Sequence, residues 1–237
     1  MSRIKNRLAS LNGNKALVAF YTAGDPDMEA SKEIFAVIEK NGADIVEIGV
    51  PFSDPLADGP TIQASSHRSL KNGTTLKKII RMVADIRKTS ELPVVLMTSF
   101  NPIFVYGQKD FVDDAVNAGV DGVIIPDLPP EESEGFLGFA KGMDMLFLLA
   151  PTSTPARLKQ VGQISKGFIY YIQPIVIFAF VLGGLIEENL RRSLLISDGS
   201  WNFLWNRPLT LSIMLVILLI VGWQIFNSFK NKRFLKD

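Results

Sequence analysis

The chain of 237 residues contains no cysteine and a single histidine, His67. Without thiols it can form neither a disulfide nor a thiolate metal site, and a cysteine nucleophile is excluded. The serines considered as nucleophiles, Ser53 and Ser99, lack the histidine base that Ser-His hydrolases use. The sequence also offers no cluster of histidine and acidic residues as metal ligands. These absences fit a reducing compartment and predict a protein without a metal centre.

The chain has little net charge and no apolar run near its N-terminus. Its 25 basic and 24 acidic residues leave a net charge of +1, so we expect no nucleic-acid partner, because nucleic acids select strongly basic surfaces. The first residues carry no long apolar core, and we expect no secretory signal. Residues 1–171 have the composition of a soluble α/β protein, expected in the cytoplasm, whereas residues 172–237 are dominated by apolar runs.

In residues 1–171, short apolar runs alternate with amphipathic segments at a spacing of roughly 25–30 residues, which is typical of βαβ units and a parallel sheet. The predicted strands are 16–21, 44–50, 93–97, 120–125, 145–149 and 168–171. Helices are predicted at 2–11, around 34–38, over 74–88, around 111–116, from 128 onward and over 155–165. The helix-to-strand segments 41–47 and 117–123 resemble each other. Neither a Gly-x-Gly-x-x-Gly fingerprint nor a Walker loop is present in the sequence. This pattern favours a TIM-type (β/α)8 barrel over a doubly wound sheet.

One predicted strand, 44–50, carries a carboxylate and runs into an acidic loop rich in Pro and Gly. By strand alternation Ile45, Glu47 and Gly49 share one face, and the branched aliphatic residues between them share the face toward the helices. Glu47 then points into the barrel mouth, where burial raises its pKa and prepares it for proton transfer. Asp58, in the loop, could be an ionised partner. Two other interpretations stay open: Glu47 as a structural hydrogen-bond acceptor, and Asp58 as a turn former.

Residues 51–63, PFSDPLADGPTIQ, resemble the signature loop of the tryptophan synthase alpha subunit family. Four further segments resemble that family in its order and spacing: TAGDP at 22–26, NPI at 101–103, VIIPDLPPEE at 123–132 and GFIYY at 167–171. The resemblance implies a TIM barrel that cleaves indole-3-glycerol phosphate to indole and glyceraldehyde 3-phosphate, a retro-aldol reaction without a cofactor. It also implies a partner, the tryptophan synthase beta subunit, which receives the indole and lies near loop 52–60.

The resemblance implies roles for individual residues. Glu47 would be the general acid/base that protonates indole C3 and takes the proton of the glycerol hydroxyl. Asp58 would bind the indole N–H and stabilise the positive charge that develops on the ring. Phe20 and Tyr170 would line the apolar indole pocket. Position Ser99 is commonly aromatic in the family, which implies that the pocket of this chain is altered.

The family pattern extends from residue 1 to about residue 171 and then stops. In the family, two more strands and the helix start that binds the substrate phosphate would follow, as is usual for barrels of this type. Six strands cannot close an eight-stranded barrel. The sequence therefore predicts an incomplete barrel of about six βα units over residues 1–171, in which the missing phosphate-binding part limits activity.

Residues 172–237 are predicted to form a hydrophobic tail of one or two transmembrane-type helices. The run 172–186 is short for a membrane span, and the uncharged run 209–226 is long enough to contact and cross a lipid bilayer. Trp201 and Trp205 between the runs are of the kind found at membrane interfaces. Residues 180–194 resemble the C-terminal end of a tripartite tricarboxylate transporter large permease.

Three hypotheses therefore compete. The first is a lyase of tryptophan biosynthesis, encoded by residues 1–171. The second is a membrane transporter fragment that carries the barrel as a passenger. The third is a non-functional chimera, in which two unrelated coding sequences join near residue 172.

Overall fold

The computed structural model describes residues 2–55 and 58–171, which belong to one compact unit, Met1–Ile172. Five strands form a parallel sheet in the order β1-β2-β3-β4-β5, and two more, β6 and β7, pair in parallel with each other. The strands are β1 (Val18–Thr22), β2 (Ile45–Gly49), β3 (Val94–Met97), β4 (Gly122–Ile124), β5 (Asp144–Leu146), β6 (Leu148–Leu149) and β7 (Tyr170–Tyr171).

Helices separate the strands, as the alternating pattern predicts. They are α1 (Arg3–Ser10), α2 (Met28–Lys40), α3 (Pro60–Lys71), α4 (Leu76–Ile86), α5 (Phe100–Tyr106), α6 (Gln108–Asn117), α7 (Glu134–Phe139) and α8 (Pro155–Ile164), with a short 3-10 turn at Pro130–Glu132. Side-chain caps fix several starts: the Asp27 carboxylate accepts from the backbone N–H of Ala30 at 2.8 Å and begins α2. Caps of this type satisfy amides that have no partner inside the helix.

The strand order distinguishes between the two sheet types considered from the sequence. Each of the first five strands pairs with the next one along the chain, for example Val18 with Ile45 and Val46 with Val94. A doubly wound sheet would reverse its strand order at a switch point, and no reversal occurs within the described residues. The predicted α/β class with a parallel sheet is confirmed, and the sequential order is that of a TIM-type barrel.

The predicted fifth strand, 145–149, is divided between two ladders. β5 pairs with β4 as far as Leu146, and the chain then continues as β6, which pairs with β7 on its other side. The backbone N–H of Tyr170 donates to the carbonyl of Phe147 at 3.0 Å and connects the two ladders. This stagger arises because tilted strands lie out of step with their neighbours in barrel-type sheets.

Two helices also differ from the sequence-based expectation. The segment that holds the NPI motif forms helix α5, which was not predicted; its Pro102 lies in the first turn, where a missing backbone N–H costs nothing. The helix expected from residue 128 begins instead as the 3-10 turn, and α7 starts only at Glu134.

Apolar residues pack on both faces of the sheet. One cluster fills the concave interior and contains Ile4, Ile45, Val95, Ile124 and Leu146. The larger cluster, which includes Val46 and Ile48, lies between the sheet and the helices. The alternation predicted for β2 is therefore confirmed. Ile4 brings α1 beneath the interior cluster, at the N-terminal ends of the strands.

The predicted tail segments 172–186 and 209–226 lie outside the described residues, and so does the region predicted to lack the phosphate site. Within the part of the chain that the structure describes, none of the helices combines the length and apolar character that a membrane span requires.

Candidate active site

A cavity of about 470 Å³ opens at the C-terminal ends of strands β1 to β4. Its walls are mostly apolar, as is usual for small-molecule sites, and they come from strand ends and the loops that follow them. The apolar lining includes Phe20, Val50, Phe52, Ile62, Met97 and Leu148, and the polar lining includes Thr22, Asp54, Asp58, Ser66, Thr98, Ser99 and Asp127. In barrels of this type the C-terminal ends of the strands carry the active site.

Glu47 lies in the middle of β2 on the interior face and is 1% exposed. Within the described residues its Oε2 atom has no hydrogen-bond partner. Burial raises the pKa of the Glu47 carboxyl to about 7, because a charge is poorly solvated in the apolar interior. A carboxyl with this pKa can both give and take a proton near neutral pH.

Tyr170, on β7, is the polar neighbour of Glu47. The Tyr170 hydroxyl partly offsets the effect of burial and lowers the pKa of the Glu47 carboxyl. In the other direction, burial and the negative charge of Glu47 raise the pKa of Tyr170 to about 12. The hydroxyl therefore stays protonated and available as a donor. Glu47 and Tyr170 form one polar pair within an otherwise apolar interior.

Phe20 connects this pair with the cavity. It lies opposite Glu47 in the register of β1 and β2, and its ring covers the next inward position, Gly49. A Cβ atom on Gly49 would lie 2.7 Å from the Phe20 ring, so the glycine is what allows the ring to adopt this position. The ring is 39% exposed and forms one wall of the cavity.

Asp58 lies at the rim of the cavity, directly before the start of α3. Its backbone N–H donates to the carbonyl of Pro55 at 3.0 Å, and Gln63 donates from its side chain to the carbonyl of Asp58 at 2.8 Å. Partial burial raises the pKa of the Asp58 carboxyl. The carboxylate is not used to cap α3, whose N-cap residue is Gly59.

The four predicted site residues thus fall into two pairs. Phe20 and Asp58 line the cavity, whereas Glu47 and Tyr170 lie close to each other in the interior and are not part of the cavity lining. The catalytic roles of Glu47 and Asp58, and the position of Tyr170 in a ring-binding pocket, therefore stay predictions. Among the described residues, no group of three or more histidine or acidic side chains could hold a metal ion.

Sequence reasoning missed part of the polar lining, namely Ser66, Thr98 and Asp127. Asp127 accepts from the backbone N–H of Phe100 at 2.8 Å and thereby ties the loop after β4 to the start of α5. A signal was available for the last two, since Thr98 directly follows the predicted strand 93–97 and Asp127 lies two residues after the predicted strand 120–125. Ser66 gave no such signal, because it lies within a helix.

The chain was compared with known proteins. A family model described as "Tryptophan synthase alpha chain" matches residues 7–175. The tryptophan synthase alpha chain of Geotalea uraniireducens is 54% identical over 176 residues, which are 73% of this chain and 66% of that protein. That of Geobacter sulfurreducens is 52% identical over 73% of this chain and 67% of the relative. The chain therefore spans about two thirds of the length of these curated relatives.

Solved structures give the same result. The crystal structure of a tryptophan synthase alpha chain from Legionella pneumophila matches with a TM-score of 0.70 and 39% identity, covering 73% of this chain and 67% of that chain. A chain of the tryptophan synthase complex from Pyrococcus furiosus matches with a TM-score of 0.64 and 38% identity, covering 68% of this chain and 67% of that chain.

Proposed function

The chain belongs to the tryptophan synthase alpha chain family, and from this premise we propose that it carries the lyase chemistry of tryptophan biosynthesis. The proposed reaction is the cleavage of indole-3-glycerol phosphate to indole and glyceraldehyde 3-phosphate. The observation that supports it most is the buried Glu47 carboxyl, with a pKa of about 7 and an Oε2 atom that has no partner among the described residues.

The proposed cleavage needs two proton transfers and no external oxidant or reductant. A base removes the proton of the glycerol hydroxyl next to the ring, and the oxygen electrons form the aldehyde C=O. Before the bond between that carbon and indole C3 breaks, C3 is protonated and the ring becomes a cation. The electron pair of the breaking bond then passes to the cationic ring and restores the neutral indole. Glu47 is proposed for both transfers, since a carboxyl with a pKa near 7 is poised between its two protonation states.

The other predicted residues support this scheme by their positions. The Asp58 carboxylate at the cavity rim is proposed to accept a hydrogen bond from the indole N–H and to stabilise the positive charge on the protonated ring. Phe20 offers an aromatic face in the same cavity, suitable for packing against an indole. Tyr170 is proposed to hold the Glu47 carboxyl in place.

The test is indole release from indole-3-glycerol phosphate by the purified full chain. We expect Glu47→Gln to reduce the rate by at least about 1,000-fold, because the amide cannot exchange a proton. Glu33→Gln, at an exposed position on α2, is the matched control and is expected to keep the wild-type rate. Equal rates in wild type and Glu47→Gln would refute the assignment, and a folded wild-type chain that releases no indole would refute the activity itself.

We also propose a beta-type subunit as the partner, docked on the exposed apolar side chains of helix α5. The solved Pyrococcus furiosus relative is described as an a2b2 complex. In this chain the helix after β3 presents two large apolar side chains to solvent, Phe104 at 63% and Val105 at 77% exposure. Replacing both with serine should weaken association with a beta subunit, measured by sedimentation. Unchanged association would place the interface elsewhere.

The transporter and chimera hypotheses concern residues 172–237 and stay predictions. Membrane fractionation of the full chain separates the first from the lyase proposal: recovery in the detergent-free supernatant contradicts a membrane-embedded tail. Sequencing of genomic DNA across the codon for residue 172 tests the chimera, since an uninterrupted join there argues against an assembly error.

A further inference from the structure

Asp58 can serve the proposed cleavage only if its carboxylate is held at the right place in the cavity. The residue lies in the loop between β2 and α3 and lines the cavity. The hydrogen bonds that the structure shows for Asp58 use its backbone. Its N–H donates to the carbonyl of Pro55 at 3.0 Å, and its carbonyl accepts from the side chain of Gln63 at 2.8 Å. The position of the carboxylate therefore depends on how firmly this backbone is held.

Gln63 is the side chain that reaches this backbone. Its own backbone N–H donates to the carbonyl of Gly59 at 3.0 Å, which fixes Gln63 in the first turn of α3. Its Nε2 atom donates to the carbonyl of Asp58 at 2.8 Å and to that of Pro55 at 3.4 Å. An amide NH2 group has two hydrogens and can serve two carbonyls at once. Because the Asp58 N–H binds the same Pro55 carbonyl, three hydrogen bonds close the turn.

Helix α3 is itself fixed against the loop that follows β1. The hydroxyls of Thr22 and Ser65 are buried and lie 2.8 Å apart. About one turn further along α3, Arg68 donates to both carboxylate oxygens of Asp25, at 2.8 and 2.6 Å. Ser65 and Arg68 are three residues apart and so lie on the same face of the helix. Since Thr22 also lines the cavity, Gln63 projects from a helix whose place beside the cavity is set.

The hydrogen bonds of the Gln63 side chain do not cap α3. The start of a helix leaves backbone N–H groups without partners, and a cap must accept from them. The Gln63 amide instead donates, and both of its acceptors are carbonyls of residues that precede the helix. What these bonds fix is the loop that carries Asp58.

We propose that Gln63 is a positioning residue for the cleavage: it holds the backbone of Asp58 so that the carboxylate meets the indole N–H. This inference rests on the proposed function, because it assumes that Asp58 binds an indole ring. Gln63 lies outside the lining of the cavity, so it acts through Asp58 and not on the substrate. A displacement of about 1 Å at a reacting site can cost about a hundredfold in rate.

The first measurement is the rate of indole release by the full chain in a double-mutant cycle. Gln63→Met keeps the length of the side chain and removes the donor, and we expect kcat/KM to fall about tenfold. In an Asp58→Ala background the same substitution should change kcat/KM by less than about twofold, because no carboxylate remains to be positioned. Gln163→Met, at an exposed glutamine on α8, is the matched control and should keep the wild-type rate.

The second measurement does not need turnover. Benzofuran has the fused rings of indole but an oxygen in place of the N–H. By titration calorimetry, we expect the wild type to bind indole about tenfold more tightly than benzofuran, the effect of one hydrogen bond to a carboxylate. Gln63→Met should reduce this preference to about threefold or less, and Gln163→Met should keep it. Partial unfolding of a variant would lower the bound fraction of both compounds alike and leave the ratio unchanged.

The outcomes separate this inference from the proposed function. If the wild type releases indole and Gln63→Met equals it in both measurements, only this inference fails. Rate losses that multiply in the double variant Gln63→Met/Asp58→Ala also overturn it, since Gln63 would then act independently of Asp58. A folded wild-type chain that neither releases indole nor prefers it to benzofuran overturns the proposed function, and the inference fails with it.

Discussion

The buried carboxylates Asp121 and Glu47, toward opposite ends of the parallel sheet, differ in their hydrogen-bond partners. At the N-terminal ends of the strands, Asp121 accepts from the backbone N–H of Val94 at 2.8 Å, from Arg87 at 2.5 Å and from Arg3 at 3.1 Å. Toward the C-terminal ends, Glu47 keeps an oxygen without any partner among the described residues. The Asp121 carboxylate is paired with two arginines, whereas the Glu47 carboxyl has no cationic partner among the described residues and a raised pKa.

The paired carboxylates at the N-terminal ends of the strands hold helix α1 against the sheet. Arg7 pairs with Asp44 at 3.0 Å in the same way that Arg3 pairs with Asp121, so helix α1 is fastened to the starts of β2 and β4. Asp144, at the start of β5, departs from this pattern, since its Oδ2 atom is buried without a partner within the described residues. The two arginines of α1 are already paired with Asp44 and Asp121.

The difference separates a carboxylate that stabilises the fold from one whose burial costs stability. A buried carboxylate that is paired with buried cations is strongly destabilising to remove, whereas burial of Glu47 without a cationic partner raises the pKa of its carboxyl to about 7. Substitutions at the two ends should therefore have opposite effects on the free energy of unfolding.

The largest expected effect comes from Asp121→Asn. We expect the free energy of unfolding to fall by about 3–5 kcal/mol, because the Arg87 side chain would stay buried without its counter-ion. Only 9% of that side chain is exposed. Urea denaturation at pH 7 measures the change.

The control is Asp113→Asn, which removes an exposed ion pair with Lys109 on α6. An exposed pair of this kind contributes about 0.5 kcal/mol. If the two variants lost equal stability, the ion pairs of Asp121 would stabilise the fold no more than an exposed ion pair does.

Glu47→Gln is expected to have the opposite effect at alkaline pH. The pKa of Glu47 rises from 4.5 to about 7 on folding, so the folded chain holds a proton that the unfolded chain has released. The wild type therefore loses stability as the pH rises from about 4.5 to about 7, by at most about 3 kcal/mol. The glutamine variant lacks this loss and should be the more stable protein at pH 8.

Denaturation curves at pH 4, 6 and 8 test whether the wild type loses stability, relative to Glu47→Gln, as the pH rises. Below pH 4.5 the two proteins should be alike, since Glu47 is protonated in both the folded and the unfolded chain. Glu33→Gln should follow the wild type throughout, because its side chain is exposed. A glutamine variant that is less stable than the wild type at pH 8 would show that the Glu47 carboxylate is paired after all.

Much of this comparison could be predicted from the sequence. Strand alternation places Glu47 on the interior face and Val46 and Ile48 against the helices, because side chains in a strand point to opposite faces in turn, and the structure agrees. The parallel sheet follows from the regular alternation of strands and helices.

Other features depend on contacts between distant residues and leave no local pattern. The division of strand 145–149 between two ladders depends on where its neighbours end. The place of Ser66 in the cavity lining depends on which side of α3 meets the cavity, and the start of α5 depends on Asp127, which comes from the loop after β4. Periodicity within a single segment cannot show these relations.

The smallest expected effect is that of Tyr170 on the pKa of Glu47. The Tyr170 hydroxyl lowers the pKa of Glu47, so Tyr170→Phe should raise that pKa further. The pH range over which the wild type loses stability should then extend upward, as measured by denaturation between pH 5 and pH 9. Tyr171→Phe is the matched control, because the next residue of the strand points to the other face and is 51% exposed. No shift in either variant would mean that Glu47 owes its pKa to burial alone, and an equal shift in both would mean that the effect is not specific to the Tyr170 hydroxyl.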